Sequence, residues 1–139
     1  MKDGKIWGVT EEVFVNNNVE LHKIEVKPGG YCSKHFHRYK HNFFLVLEGN
    51  LDISVWKDYG LVDKTHLYAG DKMSVPPGQY HQFSSTSGCV AIEVYYVTLD
   101  GADIIRENTG GCNETKQRVL RQARPEVHAK RGGDRCPSI

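Results

Sequence analysis

The chain has 139 residues, 39% of them hydrophobic and 25% charged, which is enough for one domain with a core and too few for two. Its formal net charge of +1 gives no overall electrostatic case for binding nucleic acid or an anionic membrane. No window approaches the roughly 18 consecutive apolar residues of a membrane span, and the N-terminus has no apolar signal segment. The cysteines form no CxxC pair. We therefore expect a soluble cytoplasmic protein with reduced thiols that binds neither nucleic acid nor membrane.

Residues 1–100 are a series of short β-type runs separated by turn residues. The runs include VTEEVFV, VELHKIEV, FFLVLEG, NLDISVW, LVDKTHLY and CVAIEVYYVTL, with NNN, KPGG and KDYG among the turns. Strands this short and this closely spaced are typical of an antiparallel sandwich or barrel. NLDISVW alternates apolar and polar residues, which predicts one buried face, whereas FFLVLEG does not alternate and predicts a strand covered on both faces.

Residues 101–139 have a different composition, with more basic than acidic side chains. The stretch NETKQRVLRQAR predicts a helix with Asn113 as N-cap and Pro125 at its end, followed by a frayed terminus. Such a basic helix could contact RNA or an acidic partner, but a solvated helix docked on the barrel is the expectation we adopt. The predicted organisation is a β domain over 1–100 and a partly helical extension over 101–139.

Three histidines are placed as metal ligands would be. His35 and His37 are two residues apart, so on an extended chain both imidazoles project to one face. The segment GDKMSVPPGQYHQF supplies a third, His81, which follows a Gly/Pro turn that fixes its direction of entry. Any one of them alone would be read as an exposed or capped loop residue. Together they form a facial set with open positions, as catalytic zinc and non-haem iron sites require.

These histidines also lie within two motifs that resemble those of a small cupin. The first motif is a glycine, HxH and a second glycine at fixed spacings, and the second is a glycine, PxG and a histidine. The matching positions are Gly29, His35, His37 and Gly49 for the first motif, and Gly70, Pro76, Gly78 and His81 for the second. The resemblance implies an all-β jelly-roll barrel that holds one divalent metal ion, either Zn, Fe, Mn or Ni.

The sequence departs from the first cupin motif at the glutamate ligand. Asn42 stands at that position, with His41 beside it. A neutral residue there would leave the site one negative charge poorer and make the metal a stronger Lewis acid. His41 would coordinate if the strand began with a bulge, Asn42 would face inward otherwise, and water or substrate would complete the shell.

A narrower resemblance is to the cupin phosphomannose isomerases. HFHRYKH is similar to their HxHRxEH, and the IEV and DIIRE stretches near the end of the β region are similar to theirs. The resemblance implies a sugar or sugar-phosphate ligand in the barrel cavity, with Arg38 or Lys40 near a phosphate. The alternative is that these two residues belong to an exposed loop.

The last long run adds a candidate proton-transferring group. Glu93 and Tyr95 share one face, opposite Ile92, Val94 and Tyr96, so one of the two sets lines the interior. A carboxylate near the metal could move a proton between adjacent carbons of an aldose or ketose. The alternative is an outward Glu93 paired with a lysine on the neighbouring strand.

Three functions remain open at this stage. We expect an isomerase-like cupin acting on a sugar or sugar-phosphate, with Glu93 and Arg38 in its site. The alternatives are a three-histidine non-haem iron dioxygenase and a non-catalytic small-molecule-binding cupin. Trp56, the edge beginning at Ile6 and the C-terminal tail further predict a homodimer, because a two-fold interface covers exposed strand edges.

Overall fold

The computed structural model describes residues 1–98 and 100–113, and its regular structure is almost wholly β. Eight strands and one short 3-10 turn account for it, and this confirms the predicted all-β class. The strands are β1 (Lys2–Lys5), β2 (Gly8–Val15), β3 (Val19–Val26), β4 (His41–Trp56), β5 (Val62–Tyr68), β6 (Lys72–Val75), β7 (His81–Ser84) and β8 (Cys89–Tyr96). The 3-10 turn spans Asp58–Gly60.

Strand β4 belongs to two sheets. Its first half pairs with β6 and β8, while its second half pairs with β5 and β7, all antiparallel. Strands β1, β2 and β3 continue the first sheet beyond β8. A register shift between Val46 and Glu48, followed by Gly49 at φ +80°, lies where β4 passes from one sheet to the other. The runs FFLVLEG and NLDISVW are therefore one bent strand, which suits a jelly-roll β fold.

The buried side of β4 supplies much of the core. Phe44 and Val46 are fully buried, and the buried ring of Phe44 meets that of Phe83 from β7 edge to face at 6.0 Å. Leu47, in contrast, is 45% exposed, and Phe43 is only half-buried. The expectation that FFLVLEG is covered on both faces is wrong, because only its inward-pointing residues lie between the sheets.

The chain divides into two compact units, 1–99 and 100–139. In the second unit, the described residues 100–113 contain a turn closed by the Asp103 amide on the Asp100 carbonyl, and no helix or strand. The helix predicted from Asn113 lies outside the described residues beyond its first position. Among the described residues, no helix is long and apolar enough to cross a membrane.

The cysteines differ in state. Cys32 and Cys89 are buried free thiols in the β region, and burial raises the pKa of Cys32 to about 12 and that of Cys89 to about 11. Cys112 is disulfide-bonded, so the expectation of reduced thiols is wrong at that position.

Candidate metal centre

Backbone hydrogen bonds bring the three histidines together. The His35 and His81 backbones form an isolated bridge, each amide donating to the other's carbonyl at 3.1 and 2.8 Å. The Gly78 amide donates to the His37 carbonyl at 2.8 Å, so the Gly/Pro turn is tied directly to the HxH segment. Gly78 has φ +87°, a conformation that glycine adopts without strain. The two sequence motifs therefore meet through their main chains.

The imidazole rings form one tight cluster. Their centroids are 4.7 Å apart for His35 and His81, 4.9 Å for His35 and His37, and 5.4 Å for His37 and His81. One ligand atom from each residue lies within 4.8 Å of the others, and the described residues contain this one group of three that could hold a metal ion. The histidines singled out from the sequence do lie together.

The hydrogen bonds of the rings fit metal binding. His35 Nδ1 lies 2.8 Å from the Ser33 carbonyl and His81 Nδ1 lies 2.9 Å from the Gln79 carbonyl. A carbonyl only accepts, so each Nδ1 carries the proton and each Nε2 keeps a lone pair. His37 Nε2 is buried without a hydrogen-bond partner among the described residues. Metal-bound histidines typically donate their other ring N–H to such a carbonyl, so the three residues fit a divalent ion.

The electrostatics keep two of these imidazoles neutral. Burial, together with the nearby charges of His35, His81 and Lys40, lowers the pKa of His37 to about 4. Burial also lowers the pKa of His81. Only neutral imidazole has the lone pair that a metal accepts, so both residues favour the ligating form at neutral pH.

A buried polar network lies beside the cluster. Asn42 is 1% exposed, and its Oδ1 lies 3.1 Å from His81 Nε2. Its Nδ2 donates to Glu93 Oε2 at 3.3 Å, and the Tyr95 hydroxyl donates to the same oxygen at 2.9 Å. No described residue makes a hydrogen bond with Glu93 Oε1, so that oxygen is available to a ligand.

Glu93 therefore faces the interior and is not an outward residue paired with a lysine. It is 6% exposed, and burial raises its pKa, although the hydrogen bonds from Tyr95 and Asn42 oppose the shift. Burial also raises the pKa of Tyr95, and the adjacent Glu93 carboxyl adds to this effect. The predicted shared face of Glu93 and Tyr95 is the inward one.

Three candidate residues are not part of this cluster. His41 faces the opposite side of β4 from Asn42, and its ring stacks on Tyr96 at 4.9 Å. The structure therefore does not bring His41 to the metal group, because β4 begins without the bulge that this role required. Arg38 is exposed, and no contact of its side chain with the cluster is seen. Lys40 is half-buried, with its Nζ 4.5 Å from the ring centre of Tyr95.

A cavity of about 710 Å³ opens onto one side of the site. His35, Glu93 and Tyr95 lie on its wall, and Lys5 and Lys27 line it as well. Arg38 and Lys40, which the sequence placed near a phosphate, are not among its lining residues. Lys5 is the last residue of β1 and Lys27 directly follows β3, so neither lysine belongs to a motif that contains the histidines.

Comparison with known proteins assigns the family. The sequence model of the cupin domain matches residues 22–95, which is more than half of the chain. The chain belongs to the cupin family. This confirms the resemblance read from the two motifs. No curated protein sequence matches the cupin significantly.

Solved structures agree on the fold. A variant of oxalate decarboxylase from Bacillus subtilis has a TM-score of 0.62 at 18% identity, covering 70% of the cupin and 27% of that chain. KdgF from Halomonas sp. has a TM-score of 0.60 at 16% identity, with 70% and 86% covered. The cupin domain of Cnp3 from Schizosaccharomyces pombe has a TM-score of 0.59 at 11% identity, with 69% of each chain covered. The cupin thus spans about a quarter of the oxalate decarboxylase chain, and at these identities the likeness shows the fold alone.

Proposed function

We propose that this cupin is a metal-dependent, isomerase-like enzyme that moves a proton between adjacent carbons of a small sugar or sugar-phosphate. The observation that carries the proposal is Glu93, a buried carboxylate on the wall of the same cavity as His35. A buried carboxylate costs free energy unless it is paired, and here it is retained next to three clustered imidazoles. The fold by itself does not determine the reaction. Oxalate decarboxylase, for example, contains a domain of the same fold.

In this proposal Glu93 transfers the proton and a bound metal ion polarises the substrate. A divalent ion held by His35, His37 and His81 would supply Lewis acidity that polarises the substrate's carbonyl and hydroxyl pair. Glu93 Oε1 takes the proton from the hydroxyl-bearing carbon and returns it to the neighbouring carbon, while the hydroxyl proton moves to the former carbonyl oxygen. The Tyr95 hydroxyl, hydrogen-bonded to Oε2, keeps the carboxylate oriented.

A negative charge on the substrate would be held by Lys27. Lys27 lines the cavity and has no ion-pair partner among the described residues, whereas Lys5 is paired with Asp3 at 3.1 Å. Lys27 is therefore the cavity lysine whose charge is free to bind a phosphate or carboxylate. Arg38, outside the lining, is its matched control.

The decisive experiment is proton exchange with solvent. Metal-loaded protein is incubated in D₂O with aldoses, ketoses and their phosphates, and NMR follows deuterium entering the carbon next to the carbonyl. We expect exchange with wild-type protein, its loss in Glu93→Gln and its retention in Arg38→Ala. Lys27→Ala should remove the preference for phosphorylated over neutral sugars. No exchange with any sugar contradicts the proposal.

A second candidate is a three-histidine non-haem iron dioxygenase. The observation that favours it is that the ligand-capable group consists of three imidazoles without a carboxylate. Such a set leaves positions for substrate and O₂ on iron. Oxygen consumption with small thiols or carboxylates by the iron-loaded protein alone, with no sugar exchange under any metal, would replace the isomerase-like proposal by this one.

A further inference from the structure

A buried histidine outside the metal cluster has a ring nitrogen that no described residue satisfies. Two buried side-chain atoms among the described residues have no hydrogen-bond partner, His37 Nε2 and His22 Nδ1. The metal centre accounts for the first. His22 is not in the ligand-capable group, and its side chain is only 18% exposed. Since an unpaired buried polar atom costs free energy, His22 Nδ1 calls for a ligand or a catalytic role.

His22 faces the same interior as Glu93. The two residues are direct partners in the antiparallel pairing of β3 with β8. Direct partners project to one face of a sheet, with their Cβ atoms about 4.5 to 5.5 Å apart. The next pair on that face is Ile24 and Ala91, both fully buried, so the face is the inward one. His22 and Glu93 therefore lie side by side where this inward face changes from apolar to polar.

A carboxylate fixes the position of the proton on the His22 ring. His22 Nε2 lies 3.3 Å from Glu20 Oε1. A carboxylate only accepts, so Nε2 carries the proton of the neutral ring and Nδ1 keeps a lone pair. The ring also meets that of Tyr95 edge to face, with 5.9 Å between the centroids. His22 is thus a proton acceptor placed between Glu20 and the tyrosine that orients Glu93.

The proposed isomerisation needs a second proton carrier. Glu93 moves the proton that is bound to carbon, but another proton must pass from one substrate oxygen to the other. We propose that His22 is the catalytic residue that carries this oxygen-bound proton, with Glu20 as its positioning residue. The inference rests on the proposed function, and it assigns a proton transfer for which that function names no carrier.

Every proton and electron pair in this scheme has a destination. When Glu93 removes the carbon-bound proton, its electron pair forms a carbon–carbon double bond and the carbonyl pair moves onto oxygen. His22 Nδ1 takes the proton of the neighbouring hydroxyl and gives it to that oxygen, so the imidazole ends neutral, as it began. The deprotonated oxygen becomes the new carbonyl, and the double-bond pair takes the proton back from Glu93. Glu20 stabilises the imidazolium that exists between the two transfers.

The test separates exchange at carbon from isomerisation. Metal-loaded full-length protein is incubated in D₂O with mannose 6-phosphate or fructose 6-phosphate. NMR measures both the deuterium at the carbon next to the carbonyl and the amount of the other isomer. Exchange at carbon needs only Glu93 as proton carrier, whereas isomerisation needs both residues. We expect His22→Ala to retain exchange and to lower isomerisation by about 10² to 10⁴-fold, the usual contribution of general acid–base catalysis.

Two further variants and a control refine the test. His22→Asn keeps an acceptor oxygen near the position of Nδ1 but cannot carry a proton, so it should also retain exchange and lose isomerisation. Glu20→Gln can still accept from Nε2 but lacks the charge, so it should lower isomerisation by a smaller factor. The matched control is His66→Ala, because His66 also bonds a carboxylate, that of Asp52, but is 57% exposed on the other sheet. It should leave both rates unchanged.

The outcomes distinguish this inference from the proposed function. Equal loss of exchange and isomerisation in folded His22→Ala, or retention of both, would overturn the role of His22, while exchange by the wild type would leave the isomerase-like function standing. If His22→Ala fails to fold, His22→Asn decides by the same comparison. Wild-type protein that exchanges deuterium without forming the other isomer also overturns the inference. Wild-type protein that exchanges with neither sugar phosphate overturns it together with the proposed sugar-phosphate chemistry.

Discussion

Removal of one histidine should remove most of the stabilisation that metal gives to the fold. An ion that binds only the folded state at a hundred times its dissociation constant stabilises it by about 2.7 kcal/mol. For a domain of this size, that raises the melting temperature by about 10 °C. Loss of a residue that only hydrogen-bonds to a metal ligand commonly weakens metal affinity by about 10 to 100-fold. His81 is itself one of the three imidazoles in the cluster, so His81→Ala should weaken metal affinity by at least about a hundredfold. The residual stabilisation is then about 0.4 kcal/mol.

The assay is thermal unfolding of chelator-treated protein with and without added Zn(II) or Mn(II). The difference between the two melting temperatures is compared, because His81 is 2% exposed and its truncation also costs packing energy in both states. His66→Ala and His41→Ala are matched controls: His66 is 57% exposed and bonded to Asp52, and His41 stacks on Tyr96. A full metal-induced shift in His81→Ala, or its loss in His41→Ala, would refute the assignment of the ligands.

Three further predictions concern the fold and its association. Gly49→Ala should lower the free energy of unfolding in urea more than Gly29→Ala does. Both glycines have positive φ, which costs an alanine about 1 to 2 kcal/mol, but a Cβ at Gly49 would also lie 2.1 Å from a backbone oxygen. Equal losses of unfolding free energy in the two variants would contradict this. Cys32 and Cys89 should react slowly with iodoacetamide at pH 8 in the folded protein, because pKa values raised to about 12 and about 11 leave little thiolate. Rapid labelling of both cysteines, detected by mass spectrometry, would contradict this. The protein should form a homodimer through exposed surface near Ile6, which is 92% exposed, and light scattering near the 15.7 kDa of one chain at micromolar concentration would argue against it.

The strands were largely predictable because turn residues separate them. VELHKIEV coincides with β3 (Val19–Val26), since NNN and KPGG end the extended run on both sides. The sequence EGN inside β4 looked like a similar interruption. Gly49 instead lies at a bend within a continuous strand. Whether such a glycine forms a turn or a bend depends on hydrogen bonds to β8, which is distant in sequence.

The site was predictable where spacing along the chain determines it. His35, His37 and His81 follow from the motifs, and the inward face of Glu93 follows from strand parity once one buried neighbour is known. The choice between His41 and Asn42 depends on the connection from 38 to 40, whose conformation no alternation pattern encodes. Lys27 reaches the cavity only through the packing of β3, so a reading along the chain could not associate it with the histidines.

The double membership of β4 has a consequence for how the protein folds. Val55, near the end of the strand, pairs with His81, while Asn42, near its start, reaches the ring of the same residue. A straight strand would separate these positions by about 40 Å, so both contacts exist only after β4 has curled round and the second sheet has closed. Contacts between residues so far apart in sequence form late and slowly, because the entropy cost of closing the loop comes before the contacts can stabilise the chain. Metal capture in a refolding experiment should therefore be the last signal to recover, well after β-structure has returned.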